Sequence, residues 1–489
     1  MPEEILIIPI LLPIVCGVVM LPLHMRSDRA RDILCEAAAC LTSVLVWVML
    51  IAGSREPVTV FSFAHGFSMS FRVDGMASLF AGMVSLMWPF ALLYAFDYME
   101  GSHRKNVFFA FYLATYGVTL SVAFAANLVT MYVCFEMLTL VTIPLVVHYG
   151  DHESNYAGRK YAAYTIGGAS LAFFAVILTS IYGNGGVFVY GGSLTGDFSP
   201  HLMRVAFLLG FFGFGTKAAV FPLYDWLPQA SVAPTPVTAL LHAVAVVNSG
   251  AFAVMRMTWY VFGPEVMKET RTHIFCLMIS VFSLLFAAVM AVKERHFKRK
   301  LAFSTASNLS YMLLGTMLMT QGGFVGGMAH LLFHGVIKMA LFLCAGAFMH
   351  LSGREYVYEL EGAGRRMPVT FACYTIGALS LIGIPPLCGF FSKWELLAGC
   401  AEEGSVWGLI GAGSLIVSAF LCAVYTLTVS ARAYFPSEGK DRFAKEGSLK
   451  EAGPRMLIPI VLFTAADLAL GLMPEPVLSF LRQIAGGIL

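Results

Sequence analysis

The chain has 489 residues, 58% of them hydrophobic and 12% charged, with a mean hydropathy of +0.78 and a formal net charge of +2. Soluble domains carry roughly 25% charged residues, so this composition excludes a soluble globular protein and points to an all-α polytopic membrane protein, one membrane domain over 1–489. The charges sit in short loops rather than in one basic patch, which argues against nucleic acid as a partner.

A membrane-crossing helix needs roughly 20 apolar residues. On that ruler the chain holds about fourteen spans, near 5–23, 33–53, 75–95, 106–125, 127–149, 161–183, 202–229, 237–261, 273–293, 301–320, 322–350, 368–401, 405–431 and 456–475. The first, ILIIPILLPIVCGVVMLPL, lacks the basic leader and small-residue cleavage site of a signal peptide and reads as a helix. Residues 57–74 differ: their short alternation of Val, Phe and Ser suggests a β-hairpin or an extended loop on the membrane surface.

Basic residues gather on the cytoplasmic side of membrane proteins. Here they cluster after odd-numbered spans, at Arg26, Arg29, Arg31, Arg104, Lys105, Arg159, Lys160, Lys293, Arg295, Lys298, Arg299, Lys300, Arg354, Arg365, Arg366 and in the 432–455 stretch. The other loops hold only Arg55, Arg72, Arg204, Lys268 and Arg271. This asymmetry predicts both termini outside; the expected location is the inner membrane of a prokaryotic cell.

Ten cysteines, among them Cys16, Cys134, Cys276 and Cys344, lie mainly in apolar segments without a CxxC pair or Cys/His ligand spacing, and read as core residues. The sequence carries no dinucleotide fingerprint, P-loop or nucleophile elbow. The expectation is a chain without a cofactor or metal centre of its own.

Charges inside the spans stand out, because each costs at least ~2.5 kcal/mol at the membrane centre and is functional by default. They are Glu136, Lys217, His242, Arg256, His330, His334, Lys338, Lys393 and Asp467. In GFGTKAAVFPLYDWLPQ the span carrying Lys217 breaks at Pro222 and Pro228, and in GIPPLCGFFSKWE a second break precedes Lys393. Broken helices at membrane depth are tolerated where they line a cavity or pathway. The two breaks fall in spans seven and twelve, five apart, which predicts two inverted repeats: spans 4–8 (106–261) and spans 9–13 (273–431), each with one broken helix.

Glu136 is the only carboxylate of MYVCFEMLTL, and Lys217 is its candidate partner, as a proton-exchanging switch or as a static helix-to-helix ion pair. His330, His334 and Lys338 recur every four residues, so they share one helical face and suggest a relay. A His-x3-His spacing also suits a metal, but neither an HExxH glutamate nor a third ligand accompanies it. His242 divides between packing and relay. Lys298, Arg299 and Lys300 read first as a cytoplasmic anchor; Arg256 is expected to snorkel, and Lys393 divides between snorkelling and a pathway role. Asp467 has no evident partner.

The segments KAAVFPLYDWLPQASVAPTPVTALLHA, FKRKLAFSTASNLSYM, HLLFHGVIKMALFL and GIPPLCGFFSKWE, with the glutamate of MYVCFEMLTL, resemble the antiporter-like subunits shared by respiratory complex I, energy-converting membrane-bound hydrogenases and Mrp-type cation/proton antiporters. In length the chain looks more like the shorter, Mrp D-like members. The resemblance implies a fourteen-helix fold with inverted repeats, other membrane subunits as partners, and protons or sodium ions as cargo. It implies a pathway of Glu136 facing Lys217, His242 as a bridge, Lys298, His330, His334 and Lys338 as a central polar axis, and Lys393 as the exit. It departs from some members at Asn248, where they place a lysine. The leading expectation is an ion-translocating subunit of a redox-driven complex, against a sodium/proton exchanger without electron transfer and against a structural scaffold.

Overall fold

The computed structural model describes residues 3–22, 27–52, 56–63, 67–183, 186–195, 198–437, 441–443 and 449–488. Arg26, Arg55 and parts of the 432–455 stretch lie outside the described residues. In chain order the helices are α1 (Ile8–Met20), α2 (Asp28–Ala52), α3 (Gly75–Tyr98), α4 (Lys105–Phe124), α5 (Leu128–Val146), α6 (His152–Tyr182), α7 (Pro200–Gly215), α8 (Trp226–Gln229), α9 (Thr235–Ala243), α10 (Val246–Arg256), α11 (Gly263–Thr270), α12 (Thr272–Lys293), α13 (Phe297–Met317), α14 (Gln321–Ser352), α15 (Ala363–Arg366), α16 (Pro368–Ile382), α17 (Cys388–Glu403), α18 (Val406–Tyr434), α19 (Pro454–Leu472) and α20 (Glu475–Ala485). Among the described residues, ten helical stretches are long and apolar enough to cross a membrane, and the protein is an integral, multi-pass membrane protein.

The surface hairpin is present as β1 (Val58–Ser62) against β2 (Ser68–Phe71), antiparallel, so the fold is helical apart from this small sheet. Asn127, the N-cap of α5, ties the hairpin down by donating to the Ser68 carbonyl at 2.9 Å and to Ser70 Oγ at 2.8 Å.

Three spans are interrupted. The seventh ends as α7 at Gly215 and resumes as the short α8; the twelfth breaks between α16 and α17 over 383–387. Each of these breaks contains a cis X-Pro bond, Phe221–Pro222 and Pro385–Pro386. The eighth, expected to be continuous, breaks between α9 and α10 at Val244 and Ala245, where Asn248 donates to the freed Ala243 carbonyl at 2.7 Å. It then widens into a π turn over Met257–Phe262. The polar amide takes the place of the missing ladder bond, a function its side chain can serve and an apolar one cannot.

The centre of the bundle is α14, which packs against α13, α16, α17, α19 and α9. Its glycines permit this crowding. At the other half, a Cβ on Gly250 of α10 would stand 2.5 Å from Ala218 N and 2.9 Å from Lys217 Cβ, so α10 approaches the Lys217 turn only because that side chain is absent.

Arg256 does not snorkel. It is fully buried and pairs with both carboxylate oxygens of Asp74, at 2.7 Å and 2.6 Å, between the rings of Phe188, Phe252 and Tyr260. Asp74 also caps α3 through Ala77 N at 2.9 Å and pairs with Arg72. Bidentate geometry and aromatic faces offset the desolvation of a guanidinium that the sequence pattern would send to the interface. Breaking a buried pair costs about 3–5 kcal/mol, whereas replacing both partners is often near neutral. Arg256→Met should therefore lower the melting midpoint of the protein in mild detergent. The double variant Arg256→Met with Asp74→Asn, which keeps the cap, should recover much of the loss.

Candidate functional site

The buried charges form two groups joined through α9, α10 and α14. In the first, Lys217 follows directly after the end of α7, fully buried. Its ammonium donates to the Phe135 carbonyl and lies 3.5 Å from the centroid of the Phe135 ring. Phe135 precedes Glu136, yet Lys217 and Glu136 are not joined as a direct ion pair, contrary to the simplest expectation from the sequence. Glu136 is partly buried, and its Oε1 has no hydrogen-bond partner among the described residues. The lysine is held by the carbonyl and the aromatic face of the residue that precedes the carboxylate.

The break itself is satisfied locally. Trp226 Nε1 donates to the Thr216 carbonyl freed at the end of α7, at 2.8 Å, and Lys160 of α6 pairs with Asp225.

The second group lies along α14. Lys338 is fully buried and donates to the Leu301 carbonyl at 3.0 Å and to Ser304 Oγ at 2.8 Å, and Ser304 in turn meets Tyr425 OH at 2.8 Å. One turn towards the start of α14, His334 is fully buried, and neither of its ring nitrogens has a partner among the described residues. The ring of His330 follows at 5.9 Å. His330 Nδ1 lies 2.9 Å from Ser392 Oγ and Nε2 lies 3.1 Å from Asn308 Oδ1, with the Tyr311 ring stacked at 5.1 Å. Next to Ser392 on α17 is Lys393, whose ammonium lies 5.0 Å from the same Tyr311 ring. His334, His330 and Lys393 are thus linked by ring contacts and Ser392, and Lys338 lies one turn further along α14.

Lys393 turns inward rather than to the interface. It donates to the Leu381 and Ile382 carbonyls at 2.6 Å and 3.0 Å, the last carbonyls of α16, which the break leaves without ladder partners. The opposite lip of the break is held by Asp467 of α19, a residue without an evident partner in the sequence. Its Oδ1 accepts from Ser380 Oγ at 2.6 Å and from Cys388 N at 3.3 Å, at the start of α17. Gly471 lets α19 reach this position, since a Cβ there would overlap the Pro386 carbonyl oxygen.

Between the two groups stands His242, fully buried, its nitrogens without a partner among the described residues. Its ring packs at 4.9 Å on that of Phe342, and Lys338 Nζ lies 5.9 Å from the same ring. The Lys298, Arg299, Lys300 run divides three ways rather than acting as one anchor. Lys298 is buried and donates to the Ala233 carbonyl at 3.0 Å, Arg299 reaches outward to Glu153 at 2.9 Å, and Lys300 closes the end of α12 through the Ala291 carbonyl at 2.7 Å.

Sequence reasoning missed the neutral partners: Phe135, Ser304, Asn308, Tyr311, Ser392 and Tyr425. A signal existed for three of them. Ser304, Asn308 and Tyr311 recur at spacings of four and three in FSTASNLSYM, a polar stripe on an apolar helix. Among the described residues there is no group of three or more His, Cys, Asp or Glu placed to hold a metal ion.

Residues 125–422 match a family described as NADH:quinone oxidoreductase/Mrp antiporter, transmembrane. Among similar proteins, the NADH-quinone oxidoreductase subunit N of Desulforudis audaxviator is 29% identical over 93% of this chain and 91% of its own. The D subunit of the Na(+)/H(+) antiporter of Alkalihalophilus pseudofirmus is 26% identical over 100% of this chain and 97% of its own. Among solved structures, a chain of the Mrp complex from Dietzia sp. superposes with a TM-score of 0.87 at 21% identity, over 100% of this chain and 98% of that one. A chain of respiratory complex I from Thermus thermophilus superposes with a TM-score of 0.80 at 22% identity, over 99% of each chain.

The Asp467 clamp has a direct test. Removing one partner of a buried hydrogen bond costs about 1–3 kcal/mol, so Asp467→Ala should open the break more often and raise the reaction rate of the buried Cys388 thiol with a membrane-permeant maleimide about tenfold. Asp467→Asn, which keeps an acceptor, should raise it less.

Proposed function

Since the chain belongs to the NADH:quinone oxidoreductase/Mrp antiporter transmembrane family, we propose that it is an antiporter-like membrane subunit that moves protons or sodium ions within a redox-driven complex. The observation that carries this reading is the buried row of Lys338, His334, His330 and Lys393 on α14 and α17, with Lys217 near Glu136 at the other break. Glu136 and Lys217 act as the exchanging pair, His242 as the bridge, Lys298, Lys338, His334 and His330 as the central axis, and Lys393 as the exit. His242 and His334 suit a relay because their nitrogens are not committed to fixed partners. The chain itself holds no cofactor and performs no redox chemistry in this reading; electron transfer belongs to other subunits. Names such as NADH-quinone oxidoreductase subunits N and L among the relatives support a redox complex. The end-to-end match to the D subunit of an Na(+)/H(+) antiporter favours a second reading, exchange of sodium for protons without electron transfer.

The same proposal includes fourteen crossings in a prokaryotic inner membrane, both termini outside, and two inverted five-helix units, 106–261 and 273–431. Support comes from the loop-charge asymmetry and from the matching breaks in α7–α8 and α16–α17, each with a lysine beside it. A cysteine introduced at the exposed Lys450 should then react with an impermeant maleimide in inside-out vesicles and not in intact cells; labelling in intact cells would sink the orientation.

In reconstituted vesicles, Lys217→Ala and Glu136→Gln should each cut the translocation rate per assembled complex by at least about tenfold, equivalent to ~1.4 kcal/mol along the path. Residues that exchange one proton act as a unit, so Glu136→Gln with Lys217→Met should lose little more than either single change. Wild-type rates in either single variant would remove it from the pathway. Strictly additive losses would show that the two residues act separately.

A further inference from the structure

A cavity of about 930 Å3 lies between α2, α3, α14, α19 and α20. Along α3 its lining runs from Asp74 to Phe90, which at 1.5 Å per residue is about 24 Å. The wall is aliphatic and aromatic almost throughout, and Asp74 and Ser78 lie together at one end. Asp74 is already engaged by Arg256 and Arg72, so it calls for no polar ligand. Ile51, Leu86, Phe90 and Leu462 on the lining are exposed large hydrophobic side chains, so the cavity opens sideways at membrane depth rather than into water.

From this shape we infer that the cavity is a binding site for the acyl chains of a membrane phospholipid. Hydrocarbon is the solvent on that side of the protein, and a slot lined this way offers a polar solute almost no partners. Left empty, a space of this size would forfeit the dispersion contacts of every side chain around it. The inner wall gives the site a structural consequence. Leu332 and Val336 belong to α14 and alternate with His330, His334 and Lys338, so the acyl chains press on the back of the helix that carries the polar row. Met83, also on the wall, touches Asn248 at the α9–α10 break, with Sδ 3.9 Å from Nδ2.

The test uses the protein within its complex, reconstituted into phosphatidylcholine vesicles doped with a phosphatidylcholine bearing a diazirine midway along one acyl chain. After irradiation, adducts are mapped by mass spectrometry. Met83 and Met87 are 2% and 3% exposed and line the cavity, so a lipid chain reaches them from within it. Both should carry adducts in the wild type. They should lose them in Ser78→Phe and in Ala466→Phe, which fill the slot from opposite walls, while adducts on the outward-facing Phe420 stay unchanged; either variant alone suffices. Absence of adducts on Met83 and Met87 in the wild type, or their persistence in an assembled variant, overturns the site. Adducts that appear only after the chain is stripped from its complex would assign the space to a neighbouring subunit and equally overturn it.

Discussion

Everything in this protein turns on keeping ammonium groups charged or chargeable inside hydrocarbon. A lysine at membrane depth has to find oxygen atoms, and a helix carbonyl already in the ladder still has a second lone pair to offer. One break and two unbroken helices supply them here. Lys393 takes the two carbonyls released at the end of α16, and Lys338 takes the Leu301 carbonyl and the Ser304 hydroxyl. Lys217 takes the carbonyl of Phe135 on the neighbouring α5. Backbone oxygens hold a cation without neutralising it, so the lysines remain able to exchange partners as fixed salt bridges would not.

The Arg256–Asp74 pair shows the contrast. It too is buried, but it is bidentate, enclosed by three rings and shared with a helix cap, and every feature locks it. Arginine suits that post because its fork matches a carboxylate and it does not give up its proton. Lysine and histidine, residue types that can give up a proton, occupy the row along α14. Static and exchangeable charges are thus separated by residue type and by the number of bonds each makes.

The broken helices depend in turn on their neighbours. Asp467 of α19 ties the two lips of the second break together through Ser380 and Cys388 while Lys393 closes the end of α16, and Trp226 and Lys160 hold the first. Asn248 does the same for the break in the eighth span. There an amide side chain closes the ladder. The wall of α14 that faces away from the polar row borders the apolar cavity, so the helix lies between its charges and the lipid side.

The membrane class, an extended element at 57–74, both proline breaks and several of the ionisable residues inside the spans were legible in the chain before it was folded. Each of these is a one-dimensional signal: a run of apolar residues, a β alternation, a proline, a charge where hydrocarbon is expected. The four-residue spacing of His330, His334 and Lys338 even showed their common face. Which side chain meets which was settled in three dimensions. Arg256 looked like a snorkelling residue because its partner Asp74 is 182 positions away, and Asp467 looked unaccountable because Cys388 is 79 positions away. The lysines' partners were invisible for a different reason: backbone carbonyls belong to every residue alike, and which of them are free depends on where helices break and which helix packs alongside.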